Sequence, residues 1–122
     1  MSTIKTQLGR KGEEAASSFL LGHGYRIIER NFRNRIGEID IIAYDRDILV
    51  FIEVKTRRSE EYILALESVT QAKQAKIIQV ASSYVKYKRL TDVQIRFDVM
   101  AVIGHMNGIE RIDLFKHAFE AY

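Results

Sequence analysis

The chain contains no cysteine and no proline, and each absence narrows what it can be. Without thiols there are no disulfides and no thiolate metal sites, which favours an intracellular compartment over a secreted one. Without proline no rigid linker announces itself, and no internal repeat or low-complexity stretch interrupts residues 1–122, which read as one domain. Long apolar runs are missing as well. None approaches the roughly 20 residues that span a bilayer, and the opening MSTIKTQLGRKGEE lacks the basic-then-apolar order of a signal peptide. A soluble, cytoplasmic protein is the expectation. His23, His105 and His117 are too scattered to form a metal-ligand motif.

What is present is apolar residue enough for a core, at 47% of the chain, and a formal charge of only +3. The cations are bunched all the same: Arg33 with Arg35, Arg57 with Arg58, then Lys86, Lys88 and Arg89. Bunched cations suit a phosphate-bearing partner, although solvated surface and helix C-termini gather them too.

Apolar spacing predicts alternating element types. Ala15, Ala16, Phe19 and Leu20 recur at helical spacing from about Gly9 to Leu21, with Gly24 as a stop. YRIIERNF reads as a strand, and residues 38–44 and 48–55 as two more. Val69, Ala72, Ile77, Val80, Ala81, Tyr84 and Val85 mark a long second helix. Val93 to Ile103 alternates too little for a surface strand and reads as a buried one, followed by a turn at Asn107-Gly108 and a last strand over Ile109 to Phe115. The order α-β-β-β-α-β-β predicts an α/β (α+β) domain, a mixed sheet flanked by helices.

Three ionisable residues sit inside the two best strands. Side chains alternate along a strand, so Ile39, Ile41 and Ala43 share one face, and Glu38, Asp40, Ile42 and Tyr44 the other. In the partner strand, Ile48, Val50, Ile52 and Val54 oppose Leu49, Phe51, Glu53 and Lys55. Each strand thus has one wholly apolar face, and a tight hairpin must superpose them, because a one-residue slip would turn one face the wrong way. That register gathers Asp40, Glu53 and Lys55 on a common face. A two-residue Arg46-Asp47 turn sets Asp40 opposite Glu53, whereas a longer loop sets it opposite Phe51 and diagonal to Glu53.

Neighbouring carboxylates in an apolar sheet repel and are poorly solvated, so a compensating cation is required. Lys55 supplies one charge. A divalent ion with hard oxygen ligands would supply more, and magnesium suits one or two carboxylates, a backbone carbonyl and retained waters. Such an ion polarises a phosphoryl oxygen, and Lys55 beside a bound water could orient it. The same spacing would also serve a closed ion pair with a purely structural role.

The order Asp40, then Glu53-Val54-Lys55 across a hairpin, resembles the D…(D/E)-x-K signature of the restriction-endonuclease-like nuclease fold. Around it lie Gly9-Arg10-Lys11-Gly12-Glu13, Gly37-Glu38-Ile39-Asp40, Glu53-Val54-Lys55-Thr56-Arg57, Val69-Thr70, Lys73 and Arg96-Phe97-Asp98-Val99. Together these resemble the bacterial YraN family (UPF0102), small proteins similar in fold to archaeal Holliday junction resolvases. The resemblance implies a magnesium- or manganese-dependent endonuclease acting on DNA, with branched or distorted structures as candidate substrates. It implies that Asp40 and Glu53 bind metal with the Val54 carbonyl, that Lys55 is catalytic, that Glu13 reaches the same pocket and binds the metal directly or through water, and that Lys73 contacts phosphate. Arg33, Arg35, Arg57 and Arg58 flank the acidic strand segments and are expected on the nucleic-acid backbone. Glu38 and Asp98 match family positions without an assigned role, and a homodimer is compatible with the way junction-cleaving relatives work. One departure stands out: where the family usually has a Gly-Pro-containing loop after Lys55-Thr56-Arg57, this chain has SEEYILALESV. A module that keeps the nuclease fold and binds DNA or protein without cutting is the alternative.

Overall fold

A computed structural model describes residues 7–61, 69–105 and 107–121. Among them lie two helices and five strands in the order α1 (Gln7–Gly22), β1 (Tyr25–Arg33), β2 (Glu38–Asp45), β3 (Ile48–Arg58), α2 (Gln71–Tyr87), β4 (Gln94–His105) and β5 (Gly108–Phe119), with a short 3-10 turn at Ser59–Glu61. The expected element order holds. The ends differ: β3 runs to Arg58 and β5 to Phe119, beyond the expected Lys55 and Phe115. Most of the SEEYILALESV departure, residues 62–68, lies outside the described residues.

Each helix begins and ends for local reasons. In α1 the buried residues Gly12, Ala16, Ser17 and Leu20 form one stripe. The helix stops where Gly24 takes a positive φ of 87°, a conformation nearly free of cost for glycine. Thr70 caps α2, its hydroxyl accepting from Lys73 N at 3.2 Å. At the other end of α2 the left-handed residue is Arg89, at φ 55°.

The five strands lie in the order β1-β2-β3-β4-β5. β1, β2 and β3 are antiparallel neighbours, β3 and β4 run parallel with α2 in the connection, and β4 and β5 are antiparallel. With another strand on each side, β4 is buried continuously from Phe97 to Gly104, which is why its sequence fails to alternate. β1 and β5 form the edges.

The β2–β3 hairpin resolves the register. Asp45 pairs with Ile48, leaving the two-residue Arg46-Asp47 turn, and Arg46 adopts the positive φ, 59°, that tight hairpin turns demand. Side chains then sort to two faces. Ile41, Ala43, Val50 and Ile52 pack with Ala16 and Leu20 of α1, while Ile42, Leu49 and Phe51 pack with Ile77, Val80, Ala81 and Tyr84 of α2. Ile39 departs from the expected pattern, joining the α2-side cluster beside Phe32 instead of following Ile41 and Ala43. Its partner across the ladder is Phe32, and the residue before that, Asn31, takes a left-handed φ of 55°.

α1 meets β3 very closely. A Cβ added to Gly12 would fall 2.2 Å from Thr56 Oγ1 and 3.0 Å from Thr56 Cβ, so only glycine lets the helix sit at this height. Among the described residues, no helix is long and apolar enough to cross a membrane.

Candidate active site

The ladder between β2 and β3 ends at the Ile41–Ile52 pair. Asp40 and Glu53 are the next residues along, opposite one another at the point where the strands stop pairing. The Asp40 side chain takes over from the ladder, its Oδ2 accepting from the Val54 backbone N–H at 2.7 Å. This hydrogen bond fixes the orientation of the carboxylate. Two residues on, Lys55 Nζ lies 3.1 Å from Glu53 Oε2. Lys55 is 8% exposed, so its ammonium meets that carboxylate largely away from water.

This cluster is not a closed pair. Asp40 and Glu53 line a cleft of about 430 Å³ together with Gly37, Glu38, Lys73 and Lys76. The sheet supplies the acids and α2 supplies the lysines. Lys73 sits beside Lys55, and that contact between ammonium groups lowers its proton affinity, with Glu53 partly opposing the shift. The site thus sets two acids against a buried lysine, with a second ammonium pressed on the first.

The expected phosphate-contacting residues divide by position. Lys73 lines the cleft, and Arg57 lies close enough to Lys73 to act on its proton affinity. Arg33 reaches Glu38, a cleft residue, at 3.4 Å, and Arg35 is exposed on the β1–β2 turn next to cleft-lining Gly37. Arg58 is exposed at the end of β3, its backbone N–H donating to Glu61 at 3.3 Å. Glu13 is not among the cleft-lining residues. It follows Gly12 on α1, half-buried, at the same end of β3 as Lys55 but on the helix that covers the opposite face. Among the described residues, no three acidic or histidine side chains converge as a metal-holding group.

Lys76 was not singled out from the sequence. Its only signal was a second lysine three residues after Lys73, a spacing that places both on one helix face and is equally that of a solvated surface.

A second polar cluster lies near the hairpin end of the sheet, on the α1 side. Asp98 is 0% exposed. It receives Arg96 through Nε and Nη2, both at 2.9 Å, the Tyr25 hydroxyl at 3.2 Å and the His117 backbone N–H at 3.0 Å. Arg96 also donates to the Tyr25 hydroxyl at 2.7 Å and meets Asp45 at 2.9 Å. The hydrogen bonds to Asp98 hold the guanidinium proton more tightly than usual, while burial and the neighbouring Asp98 push the Tyr25 phenol up. Asp98 is therefore the hub of a network in which every charge is answered from within the protein.

Comparison with known proteins identifies the family of the chain. The model of the uncharacterised protein family UPF0102 matches residues 12–102, a span that includes Asp40, Glu53, Lys55, Arg96 and Asp98. A UPF0102 protein of Chlorobium phaeobacteroides is 49% identical over 116 residues, covering 95% of this chain and 92% of its own. One from Syntrophus aciditrophicus is 47% identical over 118 residues, with 97% and 92% covered, and one from Prosthecochloris aestuarii is 50% identical over 125 residues, with 100% and 98% covered. Matched at this identity over nearly its whole length, the chain belongs to the UPF0102 family, the YraN family that its motifs resemble.

Proposed function

We propose that this protein is a metal-dependent endonuclease that hydrolyses DNA phosphodiester bonds, with branched or distorted DNA as its substrate class. The observation that carries this reading is the open cleft in which Asp40, Glu53 and two α2 lysines meet beside buried Lys55. A protein gains little stability from leaving acids and ammonium groups together in an open cleft, whereas a phosphodiester substrate needs both charges there.

The donor set suits magnesium or manganese. Asp40, Glu53 and the Val54 carbonyl are hard oxygen ligands, too few to enclose an ion and well matched to one that keeps several waters. When bound, such an ion would supply electrostatic stabilisation of the phosphoryl oxygens and a more acidic water. The protein's own part is positional. Val54 N–H aims the Asp40 carboxylate and Glu53 holds Lys55, whose ammonium would orient a nucleophilic water toward phosphorus. Lys73 meets the phosphate, and an anion seated between Lys55 and Lys73 relieves their mutual repulsion. Arg33, Arg35, Arg57 and Arg58 extend the positive rim, so binding is sequence-independent and weakens with salt.

A metal-dependent cleavage screen over single-stranded, duplex, flapped and four-way DNA tests the proposal. Wild-type protein is expected to cut at least one of these in magnesium or manganese, and Asp40→Asn and Lys55→Ala to abolish cutting while folding normally. Cutting that survives both substitutions would refute it. One observation favours the reading of a non-catalytic DNA-binding module, namely that no three acidic or histidine groups converge among the described residues. Calorimetry separates the two: no magnesium uptake even with DNA present selects the module.

A further inference from the structure

Among the described cations, most that lie near an acid are paired with it: Arg30 with Glu14, Arg33 with Glu38, Lys55 with Glu53, Lys88 with Glu29, Arg96 with Asp45 and Asp98. Lys76 is different. It lines the cleft that holds Glu38, Asp40 and Glu53, yet makes no ion pair among the described residues.

Its stem is nevertheless positioned. A Cβ added to Gly37 would lie 3.4 Å from Val80 Cγ2 and 4.0 Å from Lys76 Cδ, so the β1–β2 turn runs directly against this part of α2. The turn is itself held. Asn34 Oδ1 accepts from the backbone N–H of Ile36 at 2.9 Å and of Gly37 at 3.2 Å, and Asn34 Nδ2 donates to Ser83 Oγ of α2 at 3.3 Å. The exposed Lys76 stem therefore passes close to a fixed backbone while its ammonium remains available to the cleft. Lys73, one turn earlier, sits beside Lys55. Residues three apart on a helix have Cβ atoms about 5–6 Å apart, a separation on the scale of successive phosphates along one strand.

We propose that Lys76 grips the phosphate adjacent to the scissile one on the same strand, while Lys73 meets the scissile phosphate itself. The inference rests on the nuclease reading above and adds a substrate-positioning residue to it. Two lysines in helical sequence then fix how far along the strand the cut falls relative to the clamped phosphate, whatever the bases.

The test is fluorescence anisotropy of a labelled DNA that the wild type binds, titrated in calcium at several salt concentrations, with cleavage kinetics in magnesium alongside. Losing one phosphate contact lowers affinity about eightfold at 0.1 M salt and makes the salt slope shallower by about 0.9. Lys76→Ala is expected to show both changes, with KM raised and kcat retained, and Lys76→Arg to restore them. Lys86→Ala, which removes the same charge from an exposed position at the far end of α2, is expected to leave the slope alone. Equal losses from Lys76→Ala and Lys86→Ala, or no rescue by arginine, would overturn the proposal and leave the nuclease reading standing. A wild type that binds no DNA of any form overturns both.

Discussion

The sheet carries two polar clusters of similar composition and opposite construction. At the hairpin end, Asp98, Arg96, Tyr25 and Asp45 exchange hydrogen bonds until each group is answered, and Asp98 is wholly buried. At the other end and on the other face, Asp40, Glu53 and Lys55 are pinned individually but gathered around an open cleft with further ammonium groups. The first cluster completes itself. The second faces an open cleft, and that difference, more than the presence of charged residues in strands, which both clusters share, is what supports the proposed site.

Breaking each cluster should cost a different quantity. Asp98→Ala strips a buried carboxylate from Arg96 and leaves the guanidinium and the His117 N–H without it, and is expected to lower folding stability by about 3–5 kcal/mol in urea denaturation. Lys55→Ala should reverse the balance, lowering the cleavage rate by at least about 10²–10³-fold, out of the range the cleavage screen detects and equivalent to at least about 2.7–4 kcal/mol of transition-state stabilisation. Asp40→Asn keeps an oxygen for the Val54 N–H and removes a charge facing Glu53. Its stability should stay within about 1 kcal/mol of wild type while cutting is lost, the pattern of a site that trades stability for function. If Asp40→Asn unfolds the protein instead, the two clusters are alike and the open one is structural.

The smallest effect concerns pH and is remote from both clusters. Burial, with Glu29 beside it, pushes the Tyr84 phenol from its ordinary 10.0 up to about 12. Between those values the unfolded chain has lost the proton and the folded chain keeps it, so this contribution to stability is intact below pH 10 and declines from pH 10 to about 12. Tyr84→Phe should flatten that part of a melting-temperature profile, measured by circular dichroism against wild type.

How far the sequence led depends on the reach of the contacts involved. The juxtaposition of Asp40 with Glu53 and Lys55 was legible because it needs only a period of two and one hairpin. The turn length was not, since it hinges on Arg46 accepting a positive φ, which arginine's composition does not advertise. Glu13 and Lys73 carried roles by resemblance alone. The structure sets Lys73 in the cleft and leaves Glu13 on the helix across the sheet. Lys76 could not be found beforehand, because its meaning comes from a helix crossing back over a sheet. Asp98 was equally opaque: its partners Tyr25 and His117 come from β1 and β5, and Asp45 of β2 joins the network through Arg96, all brought together by a parallel crossover that no local pattern encodes.

Gly12 bears on all of this from the opposite side. Since even one methyl group there would collide with the whole of Thr56, the first helix rests on the strand immediately after Lys55 with no slack between them. A shift of that strand end on seating a substrate would be handed straight to the helix, making the far surface of the protein a natural place to attach a reporter of occupancy.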